Sequence, residues 1–249
     1  MELSQIAALL QPFLTGDPSK PLGSDVPACR VPHTFRAFCE RVGDEQAAVL
    51  SSAQLQYIST YINILLRWNS RINLTAVRAP EAIVTRHFGE SLFLARHLFP
   101  QPASATAAKV TDVGSGAGFP GLPIKIWAPD IQLTLIEANH KKATFLREVA
   151  RAIILTNVNV FAGRAETFTA ADSAVVTLRA VERFEAALPA AARLVAPQGH
   201  LALLIGSSQV SCVHELASGF RWNDPLPVPK SAQRVLLLGV REARPQTNP

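Results

Sequence analysis

The sequence predicts an α/β protein with a doubly wound, mostly parallel sheet and an N-terminal helical cap. From Lys109 onward, short β-branched runs alternate with helical segments, the pattern of a parallel sheet covered by helices on both faces. Two amphipathic helical patterns precede this region, over residues 51–69 and 80–98. The first 33 residues are rich in Pro, Gly and Ser, which predicts a loosely ordered leader. We therefore divide the chain into a leader (1–33), a cap (34–100) and a sheet domain (101–249).

The cap helices carry clear start signals. Ser51 and Gln54 have the spacing of a capping box, and Leu55, Ile58 and Ile62 follow at helical intervals. The second helix is predicted to begin at Pro80, a residue favoured in the first turn, and to end near 98.

The sheet domain contains six clear strand patterns. Between them, helices are predicted near 120–127, 140–153 and 183–194. In such a sheet, ligands bind at the carboxyl ends of the strands. The predicted strands are KVTDV (109–113), IQLTLIE (131–137), NVNVFAG (157–163), AVVTLRA (174–180), HLALLIG (200–206) and RVLLLGV (234–240).

Composition narrows the setting and the partners. The net charge is +5, the pI is about 9.4, and arginine outnumbers lysine three to one, a surplus that attracts polyanions such as nucleic acid; ordinary solubility charge is the alternative. Cys29, Cys39 and Cys212 have no metal-binding or disulfide spacing. No apolar run approaches the roughly 20 residues of a membrane span. We expect a cytoplasmic protein with no membrane association.

A glycine loop follows the first strand in the stretch TDVGSGAGFPG. A dinucleotide fingerprint would need glycine at position 119, where the chain has Phe119. Asp112, just before the loop, would repel a diphosphate but favour the sulfonium and ammonium of S-adenosylmethionine. Gly114, Gly116 and Gly118 would let the backbone approach that cofactor. The alternatives are a tight turn for the glycines and, for Asp112, a capping role toward the loop amides.

Glu137 ends the second predicted strand, twenty-three residues after Gly114. A carboxylate at this point can accept hydrogen bonds from both ribose hydroxyls of an adenosyl group. An S-adenosylmethionine site is predicted by the combination of these elements: the first strand with Asp112, the glycine loop, the helix that follows it, and Glu137 at the end of the second strand.

The segments LLRWNSRINLTAVRAPEAIVTRHFGES, TDVGSGAGFPGLPIKI, TLIEANHKKATFLREV, GRAE and LRA stand in this order over about residues 50–206. They resemble the small-subunit (16S) ribosomal RNA guanine-N7 methyltransferases, also called glucose-inhibited division protein B. The resemblance implies a class I, Rossmann-like methyltransferase with a seven-stranded sheet. It also implies methylation of N7 of a guanine in 16S ribosomal RNA, presented as naked RNA, an assembly intermediate or the 30S subunit.

The resemblance also implies site residues. Cofactor contacts carried over from the family fall on Gly114 and Phe119, on Ala165 and Glu166 of GRAE, and on Arg179 of LRA. Arg179 is in addition the candidate catalytic residue, positioned to hold the O6 edge of the guanine. The alternative for Arg179 is a surface arginine that pairs with Glu182 or Asp172.

Transfer to guanine N7 needs alignment more than a general base, because N7 has a free lone pair in the neutral base. A-form RNA hides N7 in a deep groove, so the target should be a loop or exposed base. We expect a monomer with no metal, since no histidine has ligand spacing, and we expect His87 to be a hydrogen-bonded core residue. The lysines have a solvated helix face as their alternative. Candidate RNA contacts are Arg67, Asn69, Arg71, Arg86, Lys141, Lys142 and Arg147.

The chain departs from the family pattern in two places that bear on the site. The family usually has H-I-L-D-S where this chain has His87-Phe88-Gly89-Glu90-Ser91, which inserts a helix-weakening glycine. A lysine before glycine at the end of the fifth strand is replaced by Ile205.

Three alternative functions are weighed against the main hypothesis. A small-molecule methyltransferase would share the loop and Glu137 but should bind its substrate independently of salt. A nonenzymatic RNA-binding module would bind ribosomal RNA without cofactor affinity. An NAD oxidoreductase is disfavoured by Phe119 and Asp112.

Overall fold

The computed structural model describes residues 1–15, 49–100, 107–181 and 183–242. Five of the six predicted strands agree with the structure to within one residue at each end, and the fifth begins five residues earlier than predicted, at Val195. Two short strands near the carboxyl terminus were not predicted. The strands are β1 (Lys109–Val113), β2 (Gln132–Glu137), β3 (Val158–Ala162), β4 (Ser173–Arg179), β5 (Val195–Gly206), β6 (Phe220–Trp222), β7 (Leu226–Pro227) and β8 (Arg234–Arg241).

The strands form one mixed, mainly parallel sheet with the order β3-β2-β1-β4-β5-β8-β6, and β7 pairs with β8 outside this path. β1 to β5 pair in parallel, whereas β8 lies antiparallel to β5. The predicted doubly wound, mostly parallel class is confirmed. The path holds the seven strands expected, and the two-residue β7 makes an eighth.

Eight α-helices are described, and a π-helix, Val84–Gly89, joins α3 to α4. The α-helices are α1 (Leu3–Leu14), α2 (Ser52–Asn69), α3 (Pro80–Ile83), α4 (Glu90–Leu98), α5 (Gly121–Trp127), α6 (His140–Ala152), α7 (Phe184–Leu194) and α8 (Val210–Leu216).

The sheet is apolar on both faces, because alternate side chains of its strands enter two separate cores. In β5, Ala202 and Leu204 belong to the core that also contains α5, α6 and the cap helices. Leu201 and Leu203 belong to the core beneath α7 and α8. Parallel strands covered in this way read as continuous apolar runs, as LALLI does here.

The cap helices begin where the sequence predicts. Gln54 N donates to Ser51 Oγ over 3.2 Å and Ser51 N donates to Gln54 Oε1 over 2.8 Å, which completes the capping box. The predicted helix from Pro80 to Leu98 is confirmed in its extent, but its middle turn is π-helical. A π turn inserts a residue into the helix, which a search for a 3.6-residue period cannot detect.

The prediction of a loosely ordered leader is wrong for the first fifteen residues. Residues 3–14 form α1, in which Ile6, Leu10 and Phe13 are fully or almost fully buried. Arg96 Nη1 donates to the carbonyls of Phe13 and Thr15 over 3.3 and 3.1 Å and holds the end of this helix. The remainder of the predicted leader, and residues 34–48 of the predicted cap, lie outside the described residues.

Gly89 explains one departure from the family pattern. A Cβ at this position would lie 2.5 Å from Cε2 of Phe13, far inside van der Waals contact. The ring of Phe13 therefore occupies the volume that a side chain at position 89 would need, and the glycine allows α1 to pack against the π-helix.

Candidate active site

The loop between β1 and α5 holds three glycines in the left-handed region. Their φ angles are +69° at Gly114, +55° at Gly116 and +87° at Gly118, which glycine adopts at no steric cost. The amides of Gly114 and Ser115 donate to the Ile136 carbonyl over 2.9 and 3.0 Å. The loop thus begins against the carboxyl end of β2.

The three glycines have different surroundings. A Cβ at Gly118 would lie 2.3 Å from Tyr61 Oη, and one at Gly114 would lie 3.0 Å from Cγ2 of Val181. At Gly116 the nearest such atom is the Gly114 carbonyl oxygen at 3.8 Å. Gly118 is therefore required for packing against the cap, whereas Gly116 is the least crowded of the three, with no side chain within 4 Å of its Cβ position.

Glu137 lies directly beside Gly116, as its position at the end of β2 predicts. Its Oε2 accepts a hydrogen bond from Gly116 N and its Oε1 accepts one from Asn139 N, both over 2.8 Å. The side chain is 7% exposed. Each carboxylate oxygen keeps further acceptor capacity, so the pairing with the loop leaves Glu137 able to bind a diol. The ribose contact stays a prediction.

Asp112 is an internal residue of the sheet. Its Oδ1 accepts from Thr177 Oγ1 over 2.8 Å and its Oδ2 accepts from Gly121 N over 3.3 Å. Burial raises the pKa of the Asp112 carboxyl to about 6, against the lowering effect of these hydrogen bonds. The capping role considered as the alternative is the one present: Asp112 joins β1 to β4 and to the start of α5. Direct contact with a cofactor stays a prediction.

The side chain of Phe119 packs against the cap. Its ring is parallel to that of Tyr61, at 5.3 Å between centroids, and it also stacks on His87 at 4.8 Å. Tyr61 Oη donates to the Ala117 carbonyl, and burial raises the pKa of this phenol well above its usual value, so it remains a donor. α2 thereby fixes the glycine loop, and Phe119 has only its main chain to offer a cofactor.

Arg179, at the end of β4, forms a buried ion pair with Glu90 of the cap. Arg179 Nη2 lies 2.9 Å from Glu90 Oε2, with 9% and 4% of the two side chains exposed. The same nitrogen donates to the Arg86 carbonyl over 2.7 Å. The alternative of a surface pairing with Asp172 is wrong, because Asp172 pairs with Lys109; the side chain of Glu182 lies outside the described residues.

His87 is held neutral between two polar partners. Burial, followed by the charges of Arg179 and Arg86, lowers its pKa to about 3. Its Nδ1 lies 3.2 Å from Arg179 Nη2 and must accept, since a guanidinium only donates. The proton is then on Nε2, which donates to Thr75 Oγ1 over 2.8 Å. The expected hydrogen-bonded core histidine is confirmed.

A second arginine approaches the same carboxylate. Arg234 Nε lies 3.2 Å from Glu90 Oε2 without forming a hydrogen bond, and its Nη2 donates to the Leu204 carbonyl over 3.1 Å. Arg234 is opposite Gly206 in the β5–β8 pairing. The end of β5, where Ile205 replaces a family lysine, therefore has a cation on the neighbouring strand.

Ala165 and Glu166 lie in the 3-10 turn Ala165–Thr167, which follows β3. β3 pairs with β2, with Ala162 opposite Glu137, so the turn follows the strand next to Glu137. Ala165 is buried and Glu166 is exposed. Arg193 Nη2 donates to the Ala165 carbonyl over 3.0 Å and steadies the turn.

The predicted RNA contacts differ in their exposure to solvent and in their hydrogen-bond partners within the protein. Asn69 is 6% exposed, and its side chain bonds the amides of Leu74 and Thr75 and the Thr75 carbonyl. We therefore correct its assignment: Asn69 closes the turn after α2. The remaining candidates are at least partly exposed, although two of them have protein partners: Arg67 pairs with Glu148, and Arg147 donates to the Val160 carbonyl. Arg67, Arg71, Arg86, Lys141 and Arg147 are exposed, and Lys142 is half-buried.

Neither a cluster of metal-ligating side chains nor a membrane-spanning helix occurs among the described residues. No group of three or more His, Cys, Asp or Glu in this part of the chain could hold a metal ion. None of the helices in this part is long and apolar enough to cross a membrane.

The sheet order, the glycine loop after β1 and the acid that ends β2 define a class I, Rossmann-like methyltransferase fold. Solved structures with this fold include ribosomal protein L11 methylase from Lactobacillus delbrueckii subsp. bulgaricus (TM-score 0.52, 13% identity, 62% of this chain and 80% of that chain). Another is P. horikoshii TYW2 in complex with MeSAdo (TM-score 0.51, 15% identity, 63% of each chain).

Within this class, residues 54–223 match the family model GidB, rRNA small subunit methyltransferase G, and the chain belongs to this family. Ribosomal RNA small subunit methyltransferase G of Halorhodospira halophila is 40% identical over 171 residues, which cover 69% of this chain and 78% of the relative. The enzyme of the same name from Chloroflexus aggregans is 37% identical over 201 residues, 76% of this chain and 82% of the relative. The family suspected from the sequence is confirmed, and so is the class of enzyme.

Sequence reasoning missed two residues that organise the site. Tyr61 has no motif around it, and its role depends on contact with a loop 56 residues away. Glu90 had a signal, since it occupies the acidic position of the family pattern H-I-L-D-S, but nothing local connects it to Arg179.

Proposed function

We propose that the protein transfers a methyl group from S-adenosylmethionine to N7 of a guanine in 16S ribosomal RNA. The observation that carries the cofactor part is the Glu137 carboxylate bonded to Gly116, the loop glycine with no side chain within 4 Å of its Cβ position. Membership of the small-subunit rRNA methyltransferase family carries the substrate part.

The residues around Gly116 fit an adenosyl cofactor. Glu137 would accept the ribose hydroxyls, and the amides and carboxylate of the turn at Ala165 and Glu166 would meet the adenine edge. The glycine backbone would approach the amino-acid portion, where no side chain intervenes at Gly116. When bound, S-adenosylmethionine supplies a methyl group activated by its sulfonium.

Arg179 is the candidate for holding the guanine. Its Nε and Nη2 are engaged with Glu90, the Arg86 carbonyl and His87. Its Nη1 has no hydrogen-bond partner among the described residues, and a guanidinium has five donors. We assign these remaining donors to guanine O6, which leaves the N7 lone pair free for the methyl group.

The surroundings of Arg179 suit a reaction that needs no base. Methylation of N7 requires no proton to be removed beforehand. The rate acceleration can therefore come from orienting the guanine toward the methyl group and from excluding water. His87 is neutral, and both of its ring nitrogens have partners. It serves to position Arg179. We propose no catalytic base.

The partner is 16S ribosomal RNA, as naked RNA, an assembly intermediate or the 30S subunit, and we propose a cytoplasmic monomer without a metal. The test is deletion of the gene in its host, followed by mass mapping of 7-methylguanosine in 16S ribosomal RNA. We expect one guanine to lose its methyl group and to regain it when 30S subunits from the deletion strain are incubated with the purified protein and S-adenosylmethionine. A methylation map unchanged by the deletion would reject the proposal.

A further inference from the structure

A surface pocket of about 290 Å³ lies at the end of α2 beside the start of α6, apart from the glycine loop. It is lined by Arg67, Trp68, Arg71, Ile72 and Lys141. Its volume is close to the lower end of the roughly 300–1,000 Å³ of small-ligand sites. Three cations and an aromatic side chain in one concave surface are the elements that proteins use to hold a nucleotide of single-stranded nucleic acid.

The charge of the pocket is only partly neutralised by the protein. Glu148 receives a hydrogen bond from Arg67 Nη2 over 2.5 Å and one from Trp68 Nε1 over 3.1 Å, so both of its oxygens are engaged. The charged side chains of Arg71 and Lys141 form no ion pair or hydrogen bond within the described part of the chain. Two positive charges are thus available to an anion.

The start of α6 adds to this positive field. Lys141 lies in the first turn of the helix, which contains no acidic residue. Asn139 Oδ1 caps the amides of Lys141 and Lys142 over 2.9 and 3.2 Å. Because the amino end of a helix carries a partial positive charge, the helix and Lys141 favour the same kind of ligand.

Trp68 is held in a fixed orientation at the pocket wall. Its indole nitrogen donates to Glu148, and its ring meets Phe145 edge-on at 5.8 Å between centroids. Trp68 is half-buried, and with Ile72 it gives the pocket an apolar side next to the cations. This combination matches a nucleotide, with its base or sugar on the apolar side and its phosphate against Arg71 and Lys141.

The pocket is too far along α2 to hold the target base itself. Tyr61, which contacts the glycine loop, precedes Trp68 by seven residues, about 10 Å along the helix axis. That distance suits a nucleotide on one side of the target in the same strand. We propose that the pocket is a second RNA site, which holds a nucleotide flanking the methylated guanine through its phosphate. This inference depends on the proposed function.

The test compares two charge-matched double variants of the full chain. Arg71→Ala/Lys141→Ala removes the two unpaired cations of the pocket, and Arg221→Ala/Lys230→Ala removes two exposed cations elsewhere. The substrate is 30S subunits, or 16S ribosomal RNA extracted from them, from a strain that lacks the gene. The measurements are the RNA dissociation constant at several salt concentrations and the affinity for S-adenosylmethionine.

We expect the pocket variant to bind RNA about tenfold more weakly and to lower the slope of log Kd against log salt by about 0.7, the value for one phosphate contact in a single strand. The control variant should match the wild type in both values. Retained affinity for S-adenosylmethionine shows that the pocket variant is folded. If it is lost, Arg71→Gln/Lys141→Gln replaces it in the same comparison.

Two failures can be told apart. If the wild-type protein does not methylate 16S ribosomal RNA, the proposed function fails. If the wild type methylates it but the pocket variant has the RNA affinity and salt slope of the control, the second RNA site alone is overturned.

Discussion

Oε2 of Glu137 accepts a hydrogen bond from the amide of Gly116 over 2.8 Å. The acid at the end of β2 is thus bound to the least crowded glycine of the loop, and the two features that predicted a cofactor site from the sequence meet in the fold. The carboxylate also accepts from Asn139 N, so it orders the loop on one side and the start of α6 on the other.

Replacing Glu137 should weaken cofactor binding. Glu137→Ala removes a charged acceptor from the loop and from the ribose, and a hydrogen bond to a charged group contributes about 1.5–3 kcal/mol. We expect the affinity for S-adenosylmethionine, measured by calorimetry, to fall by about tenfold or more. The exposed residue Glu215 of α8 provides the control, as Glu215→Ala. Equal affinities in the two variants would remove Glu137 from the site.

The pair of Arg179 and Glu90 should show strong energetic coupling. Both side chains are buried, so Arg179→Ala leaves the buried Glu90 carboxylate without its main ion-pair partner. Such a change costs about 3–5 kcal/mol in comparable pairs. The double variant Glu90→Ala/Arg179→Ala should lose less stability than the sum of the single variants, as measured by urea unfolding. The exposed pair Lys109 and Asp172 is the matched control, with an expected coupling of about 0–1 kcal/mol. Additive losses at Glu90 and Arg179 would contradict the buried pair.

Gly89 and Phe13 should rescue each other's substitutions. Gly89→Leu places a side chain against the ring of Phe13, and overpacking of this kind costs about 1–3 kcal/mol. Phe13→Ala alone opens a cavity, at about 3–5 kcal/mol. The double variant should be more stable than Phe13→Ala, since the leucine enters the space that the ring has left. Urea unfolding of the three proteins measures this, and a double variant with the summed loss would mean that the two sites do not share that space.

His87 should make the protein less stable as the pH falls. Its folded pKa of about 3 lies below the usual 6.5, so the unfolded chain binds a proton first and stability is lost from about pH 6.5 downward. Between pH 6.5 and 4.5 this loss amounts to about 2–3 kcal/mol. The destabilisation caused by His87→Asn should therefore shrink by that amount over this range.

Asp112 acts in the opposite sense. Its folded pKa is raised to about 6, so its contribution is present at low pH and is lost as the pH rises from about 4 to 6. Asp112 is the same in the wild type and in His87→Asn, and its contribution cancels in their difference.

For the His87 prediction, His140→Asn is the control at an exposed histidine. A penalty for His87→Asn that does not change with pH would contradict a neutral, buried His87.

Features that depend on the succession of nearby residues along the chain could be predicted from the sequence. The alternation of strand and helix predicted the sheet, and the fixed spacing from Gly114 to Glu137 predicted which strand ends would meet. Asn69 was misassigned because a turn asparagine and an RNA-binding asparagine look alike until the hydrogen bonds of the amide are known. α1 was missed because the Pro- and Gly-rich stretch after it dominated the composition of the first 33 residues, although Ile6 and Leu10 already have helical spacing.

Contacts between distant segments could not be predicted. Arg179 and Glu90 are 89 residues apart, and the reason for a glycine at position 89 lies in a ring near the start of the chain. Such pairs form only when the cap packs on the sheet, and a single sequence holds no periodic signal for them. The family resemblance indicated which residues belong to the site, but it did not indicate which residues they contact.

The hydrogen bond from Tyr61 to the Ala117 carbonyl also bears on protein engineering. A cap from a relative could be grafted onto this sheet only if it brought a phenol to the same place and faced a glycine at position 118. The cap and the sheet domain, which meet near residue 100 of the sequence, are therefore not independent folding units. A chimera joined there would have to exchange the contacting residues of the cap and of the glycine loop together.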